Sequence, residues 1–147
     1  MTNVVISSAA RTAIGSYGKS LKDVPPTDLG ATAAAAAIER AGIEPGQIDH
    51  VVFGNVIHTE PADMYMARVV GMKAGIPKET PAFTVNRLCG TGVQAIVSAT
   101  QAIQSGDVDV ALAGGAESMS RGPYWMSDAR WARAWARRRW STRSWAG

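Results

Sequence analysis

The sequence predicts an α/β protein: a parallel sheet with helices on both faces, in the order βαβαβαβ. Three observations predict it. Apolar strands alternate with helical segments, one strand is apolar throughout instead of at every other residue, and one helix carries no charge. Strands joined by helices of this length pair in parallel through right-handed crossovers. At 147 residues, 46% hydrophobic and 18% charged, the chain fits one domain with its own core.

Val4 to Ser8 reads as a short buried strand, followed by a glycine-containing loop that ends at Pro25-Pro26. Thr27 or Asp28 is placed to cap a helix through the alanine block Ala33 to Ala37 as far as Arg40, and Gly42 stands where a left-handed residue would stop it. His50 to Ile57 (HVVFGNVI) is the continuous apolar strand, the pattern of a sheet buried on both faces. Asp63 is placed to cap a second helix carrying Met64, Met66, Val69, Val70 and Met72, which read as helix packing; Gly75 and Pro77 close it. Phe83 to Asn86 is a third strand, Cys89-Gly90-Thr91-Gly92 opens a third helix that Gly106 stops, and Val108 to Gly115 is the fourth strand.

From Leu88 to Gly106 there is no charged side chain. A helix on the surface of an α/β layer shows a charged face, so this one predicts a further covering layer, from a second domain or a second subunit.

Composition excludes several classes. No run approaches the roughly eighteen apolar residues of a membrane helix, and Met1 to Ile6 lacks the basic and apolar regions of a secretory signal. With Cys89 as its single cysteine the chain has no internal disulfide, which points to a reduced, cytoplasmic compartment. Charge is uneven. Residues 1–128 hold nine basic and twelve acidic side chains, a net of −3, while 129–147 hold six arginines and no acid. That tail also carries four of the five tryptophans, so the chain divides into a domain at 1–128 and an Arg/Trp/Ala-rich tail at 129–147.

Cys89 is the candidate nucleophile. At a strand-to-helix junction, free backbone N–H groups and the positive end of the helix macrodipole favour a thiolate, and the glycines around Thr91 let a substrate approach the backbone. A lone cysteine is more often a small buried hydrophobe, and the junction is what weighs against that reading. A nucleophile also needs a base, and neither His50 nor His58 is tied to Cys89 by the sequence. The rival is a dinucleotide fingerprint, since Gly90, Gly92 and Ala95 fit G-x-G-x-x-A between a strand and a helix. It is the weaker reading: Asn86, Arg87 and Cys89 interrupt the approach to the first glycine, and Glu117 lies beyond the usual spacing for the ribose-binding acid. His58, Thr59 and Glu60 read as a loop leading to a helix and are assigned no role.

The segment Asn86 to Ile96 (NRLCGTGVQAI), with Arg11 to Gly15 (RTAIG), Gly54 to Ile57 (GNVI) and Gly114 to Ser120 (GGAESMS), closely resembles the N-terminal half of thiolases. These are the acyl-CoA C-acyltransferases of the acetoacetyl-CoA and 3-ketoacyl-CoA group, serving fatty acid metabolism and polyhydroxyalkanoate precursor synthesis. The resemblance covers about residues 3 to 128 in colinear order; Thr91 stands where many members have serine.

The resemblance implies that Cys89 takes an acyl group from an acyl-CoA and passes it to the carbanion of acetyl-CoA, or runs the reverse thiolysis, with its own N–H in an oxyanion hole. It implies coenzyme A thioesters as substrates, no metal or further cofactor, no nucleic acid or membrane partner, and homodimers or homotetramers joined through the strand around Thr84 to Leu88. The Gly114 to Ser120 stretch, with Glu117, would shape the core near the site. Four strands would lie in the order 83–86, 50–57, 4–8, 108–115, the last with an unpaired edge until a later antiparallel strand arrives. A second stacked half would cover the uncharged helix.

The family's Gly-His-Pro histidine, its second catalytic cysteine and its CoA-binding loop domain have no counterpart in these 147 residues, so this chain alone is expected to be inactive, an inert truncated gene product. The tail uses residues with GC-rich codons, as an out-of-frame reading of a GC-rich gene does. Its arginines and tryptophans also suit stacking on single-stranded nucleic acid, a weaker reading without an accompanying nucleic-acid fold.

Overall fold

The computed structural model describes residues 3–126 and 129–131. Helix α1 spans Pro26–Ala41, strand β1 His50–Gly54, helix α2 Met66–Lys73, strand β2 Ala82–Val85, helix α3 Thr91–Ser105 and strand β3 Ala111–Gly115. The strands form one parallel sheet in the order β2-β1-β3, with Val52 opposite Phe83 on one side and Ala113 on the other. Most of the expected tail, 132–147, lies outside the described residues.

The unbroken apolar run of β1 serves both faces, as its pattern predicts. Side chains alternate across a strand. Val51 and Phe53 pack into a cluster with Ala34 and Ile38 of α1 and Met66, Ala67 and Val70 of α2. Val52 turns the other way, against Ala95 and Ala99 of α3. Gly42 and Gly106, at φ 68° and 83°, close α1 and α3 in the left-handed conformation expected of them.

Several expectations are corrected. Residues 4–8 belong to no strand, and β1 pairs directly with β3 from His50↔Ala111 to Gly54↔Gly115, filling the place that the expected order gave to the first segment. Ser8 instead donates its hydroxyl to the Ala37 carbonyl, and Arg40 reaches the Ala9 carbonyl at 3.0 Å, so the segment is held by α1. A cavity of about 380 Å³, lined by residues 4–10 and 110–115 among others, separates it from β3, and Val5 and Ile6 stay exposed. Among the described residues the outer edge of β3 is therefore unpaired, as anticipated for the last strand.

Helix α1 starts without a side-chain cap. Pro25 is its N-cap, and Pro26, whose ring presets a helical φ, occupies the first turn; Thr27 accepts a hydrogen bond from Lys73 Nζ at 3.2 Å. Asp63 caps no helix: it lies inside a 3₁₀ turn, Pro61–Tyr65, whose N-cap is Glu60, and α2 begins only at Met66. Its carboxylate accepts the Thr59 and Glu60 N–H groups and the Thr59 hydroxyl, which confirms the loop reading of these residues. Of the methionines, Met66 is fully buried, while Met64 and Met72 are exposed and do not serve the core.

Candidate active site at the C-terminal end of the sheet

In open α/β sheets, ligands bind beyond the carboxyl ends of the strands. Here those ends are tied together. Beyond β1, Asn55 N–H donates to Val85 O of β2 at 3.2 Å, and Gly54 O accepts Ala116 N–H at 3.0 Å. The Glu117 carboxylate then gathers the β1 exit, accepting Asn55 Nδ2 at 3.1 Å and the Val56 and Ile57 N–H groups at 2.9 Å each. Asn55 Nδ2 also donates to Ala116 O at 2.9 Å. Glu117 thus acts as a clamp between two strand exits, in line with the structural role expected of its segment.

Cys89 sits at this end of the sheet, exposed, on the 3₁₀ turn Leu88–Gly90 between β2 and α3. The helix begins at Thr91, two residues later than the cysteine motif suggests. Asn86 Oδ1 accepts Leu88 N–H at 3.0 Å, and Arg87 O accepts Gly90 N–H at 3.0 Å. The Cys89 N–H finds no acceptor among the described residues. The neighbouring Arg87 guanidinium donates to Gln94 Oε1, laying a positive charge along the start of α3.

Neither histidine joins the cysteine. His50 opens β1, with its ring 5.5 Å from that of Phe83, at the opposite end of the parallel strands. His58 is exposed past the β1 exit and makes no hydrogen bond to Cys89. Among the described residues no group of three or more His, Cys, Asp or Glu side chains could hold a metal ion, and no helix is long and apolar enough to cross a membrane.

The dinucleotide fingerprint fits poorly. Gly90 and Gly92 both lack the positive φ of a tight glycine turn, and the residue that does have one before α3 is Leu88, at 49°. Ala95 is fully buried against Val52, as packing of the helix on the sheet requires. Asn55 and Thr91 make hydrogen bonds at this end of the sheet that the sequence did not assign to them. The asparagine directly after a buried strand and the hydroxyl at the first position of α3 were the available signals.

The sequence matches the family described as thiolase, N-terminal domain, over residues 4–141. It is 58% identical over 128 residues to beta-ketothiolase BktB of Cupriavidus necator, covering 87% of this chain and 32% of that protein. With the mitochondrial 3-ketoacyl-CoA thiolase of Bos taurus it shares 51% over 124 residues, 84% of this chain and 31% of the other. Among solved structures, the human mitochondrial 3-ketoacyl-CoA thiolase in complex with CoA superposes with a TM-score of 0.82 at 47% identity, covering 84% of this chain and 32% of that one. The Bacillus anthracis acetyl-CoA acetyltransferase gives 0.83 at 40% identity, with 89% and 33% covered. The chain thus spans about a third of the length of these relatives. The family match over residues 4–141, with these identities and superpositions, places the chain in the thiolase family, as its N-terminal part.

Proposed function

We propose that this chain carries the acyl-accepting nucleophile of a thiolase-type acyl-CoA C-acyltransferase. The observation that carries the reading is Cys89, exposed on the turn into α3 with its own N–H unpaired. Its thiolate attacks the thioester carbonyl of an acyl-CoA. The new Cys89–acyl bond forms as the bond to the CoA sulfur breaks, and the CoA thiolate leaves to take up a proton. The Cys89 N–H, without an acceptor among the described residues, suits the oxyanion that develops in that step.

In the synthetic direction the acyl group then passes to the α-carbon of acetyl-CoA, after a base has removed the α-proton. Among the described residues no histidine is hydrogen-bonded to Cys89 to act as that base. General acid and base steps each contribute roughly 10²- to 10⁴-fold, so the chain alone should show no measurable turnover. Coenzyme A thioesters are the substrates in this reading, with no metal or further cofactor, and the cytoplasm keeps Cys89 reduced. Full-length assembly as a homodimer or homotetramer would use β2, which lies at the sheet edge with Phe83 exposed.

An acetoacetyl-CoA thiolysis assay with Cys89→Ala as control tests this, together with mass spectrometry of the chain after incubation with acetyl-CoA. We expect an acetyl group on Cys89 in the unmodified chain, none in the variant, and no turnover in either. Turnover that survives Cys89→Ala would overturn the assignment, and saturable NADH binding insensitive to Cys89 would favour the dinucleotide reading.

A further inference from the structure

The turn that carries Cys89 is fastened around Leu88. Leu88, directly before the cysteine, holds φ 49°, a conformation that residues other than glycine adopt rarely. Something must hold it there. On one side Asn86 Oδ1 takes the Leu88 N–H. On the other, the buried Thr91 hydroxyl donates to the Leu88 carbonyl at 2.6 Å and accepts the Arg87 N–H at 2.8 Å, so it bridges both flanks of the residue.

The other end of the same side chain is fixed as well. A Cβ built on Gly54, the last residue of β1, would lie 2.2 Å from Thr91 Cγ2. Gly54 is therefore a glycine because the Thr91 methyl occupies its side-chain space, and the methyl seats the start of α3 on the sheet. Two anchors meet in one residue: the hydroxyl shapes the turn, and the methyl sets its height above β1.

We infer that Thr91 is a positioning residue for Cys89, acting through Leu88 and Gly54; the inference rests on the reading of Cys89 as the acyl-accepting nucleophile. Thr91→Val keeps the methyl and the shape but leaves the Arg87 N–H without its partner and the Leu88 carbonyl with the Thr91 backbone N–H alone. Gly54→Ala keeps the hydroxyl but pushes the methyl away from β1. Adding Thr91→Ser to Gly54→Ala removes the clashing Cγ2; the next contact, with the Cβ of residue 91, is an ordinary 3.5 Å.

The measurement is the rate of Cys89 alkylation by iodoacetamide in the 147-residue chain across neutral to alkaline pH, with circular dichroism and thermal unfolding on the same samples. Loss of the bridging hydroxyl should slow alkylation at neutral pH by about tenfold in Thr91→Val. Gly54→Ala should slow it by a similar factor, and the double variant should return to within about threefold of the unmodified chain. A Thr91 that only packs would lower the unfolding temperature without altering the pH–rate profile. That outcome, or a double variant as slow as Gly54→Ala, overturns the inference. If the unmodified chain itself alkylates no faster than a free thiol, the nucleophile reading fails instead.

Discussion

On the α1/α2 face of the sheet, Val51 and Phe53 meet Ile38, Met66 and Val70 inside a cluster of ten buried residues; on the α3 face Val52 meets Ala95 and Ala99 and nothing larger that is fully buried among the described residues. The two helical layers also differ outward. Helix α1 carries Asp28, Glu39 and Arg40, whereas α3 presents Val93, Ile96 and Val97, all exposed. A layer that ends in charge is finished, and a layer that ends in valine and isoleucine is half of a contact. The proposed nucleophile stands at the start of that unfinished helix, so its chemistry is built where the fold is least self-sufficient.

The strongest way to break this comparison is to hollow each face in turn. Phe53 is 3% exposed, and Cβ atoms built on Gly30 and Gly114 would lie 3.0 and 2.4 Å from its ring, so two glycines make room for it. Phe53→Ala should cost about 3 to 5 kcal/mol in urea unfolding, a large share of the roughly 5 to 15 kcal/mol that keeps a domain folded. Val97→Ala on the outer side of α3, already 40% exposed, should cost less than about 1 kcal/mol. Equal losses at both positions would mean that the α3 face is as closed as the other.

A smaller test concerns the seam within the closed face. Lys73 Nζ lies 2.6 Å from Asp28 Oδ1 where α2 meets α1, with both side chains nearly half exposed. Screening by water leaves such a pair about 0.2 to 1 kcal/mol. Lys73→Met should lower the unfolding free energy from urea titration by that amount, and the difference should shrink in high salt. A loss well above it would place ionic contacts beside packing as a determinant of the closed face.

Much of this was legible in the sequence because it depends on local chemistry. Gly42 and Gly106 mark helix ends through their own backbone freedom, and the unbroken run Val51-Val52-Phe53 announces burial on two sides before any partner is known. What was not legible depends on distant partners. Val4, Val5 and Ile6 have the composition of a strand, but composition does not say which edge receives it, and β1 and β3 pair with each other instead. Asp63 has the residue type of a helix cap; Pro61 and the 3₁₀ turn place it inside the turn instead, with Glu60 as the N-cap. At the site, Cys89 was visible through its setting. The dual anchorage of Thr91 was hidden, because Gly54 lies 37 positions away in the chain and the two meet only after α3 docks on β1.

The smallest expected effect on stability is also the one that most sharpens the contrast between the faces. Val97→Glu places a charge on the outer side of α3, at a side chain that water already reaches over 40% of its surface. Its unfolding free energy should change by no more than about 0.5 kcal/mol, as for surface substitutions generally. Its association should change far more. An exposed apolar helix face, together with the open edge of β3, drives self-association, and a charge within the patch opposes it while leaving the edge untouched. Sedimentation velocity should therefore show a heterogeneous distribution for the unmodified chain and a shift toward monomer for Val97→Glu at unchanged stability. If the variant associates as before, the edge of β3 is the surface that draws copies together, and the α3 face is only exposed. If both chains sediment as one monomeric species, neither surface is a liability and the α3 layer is complete as it stands.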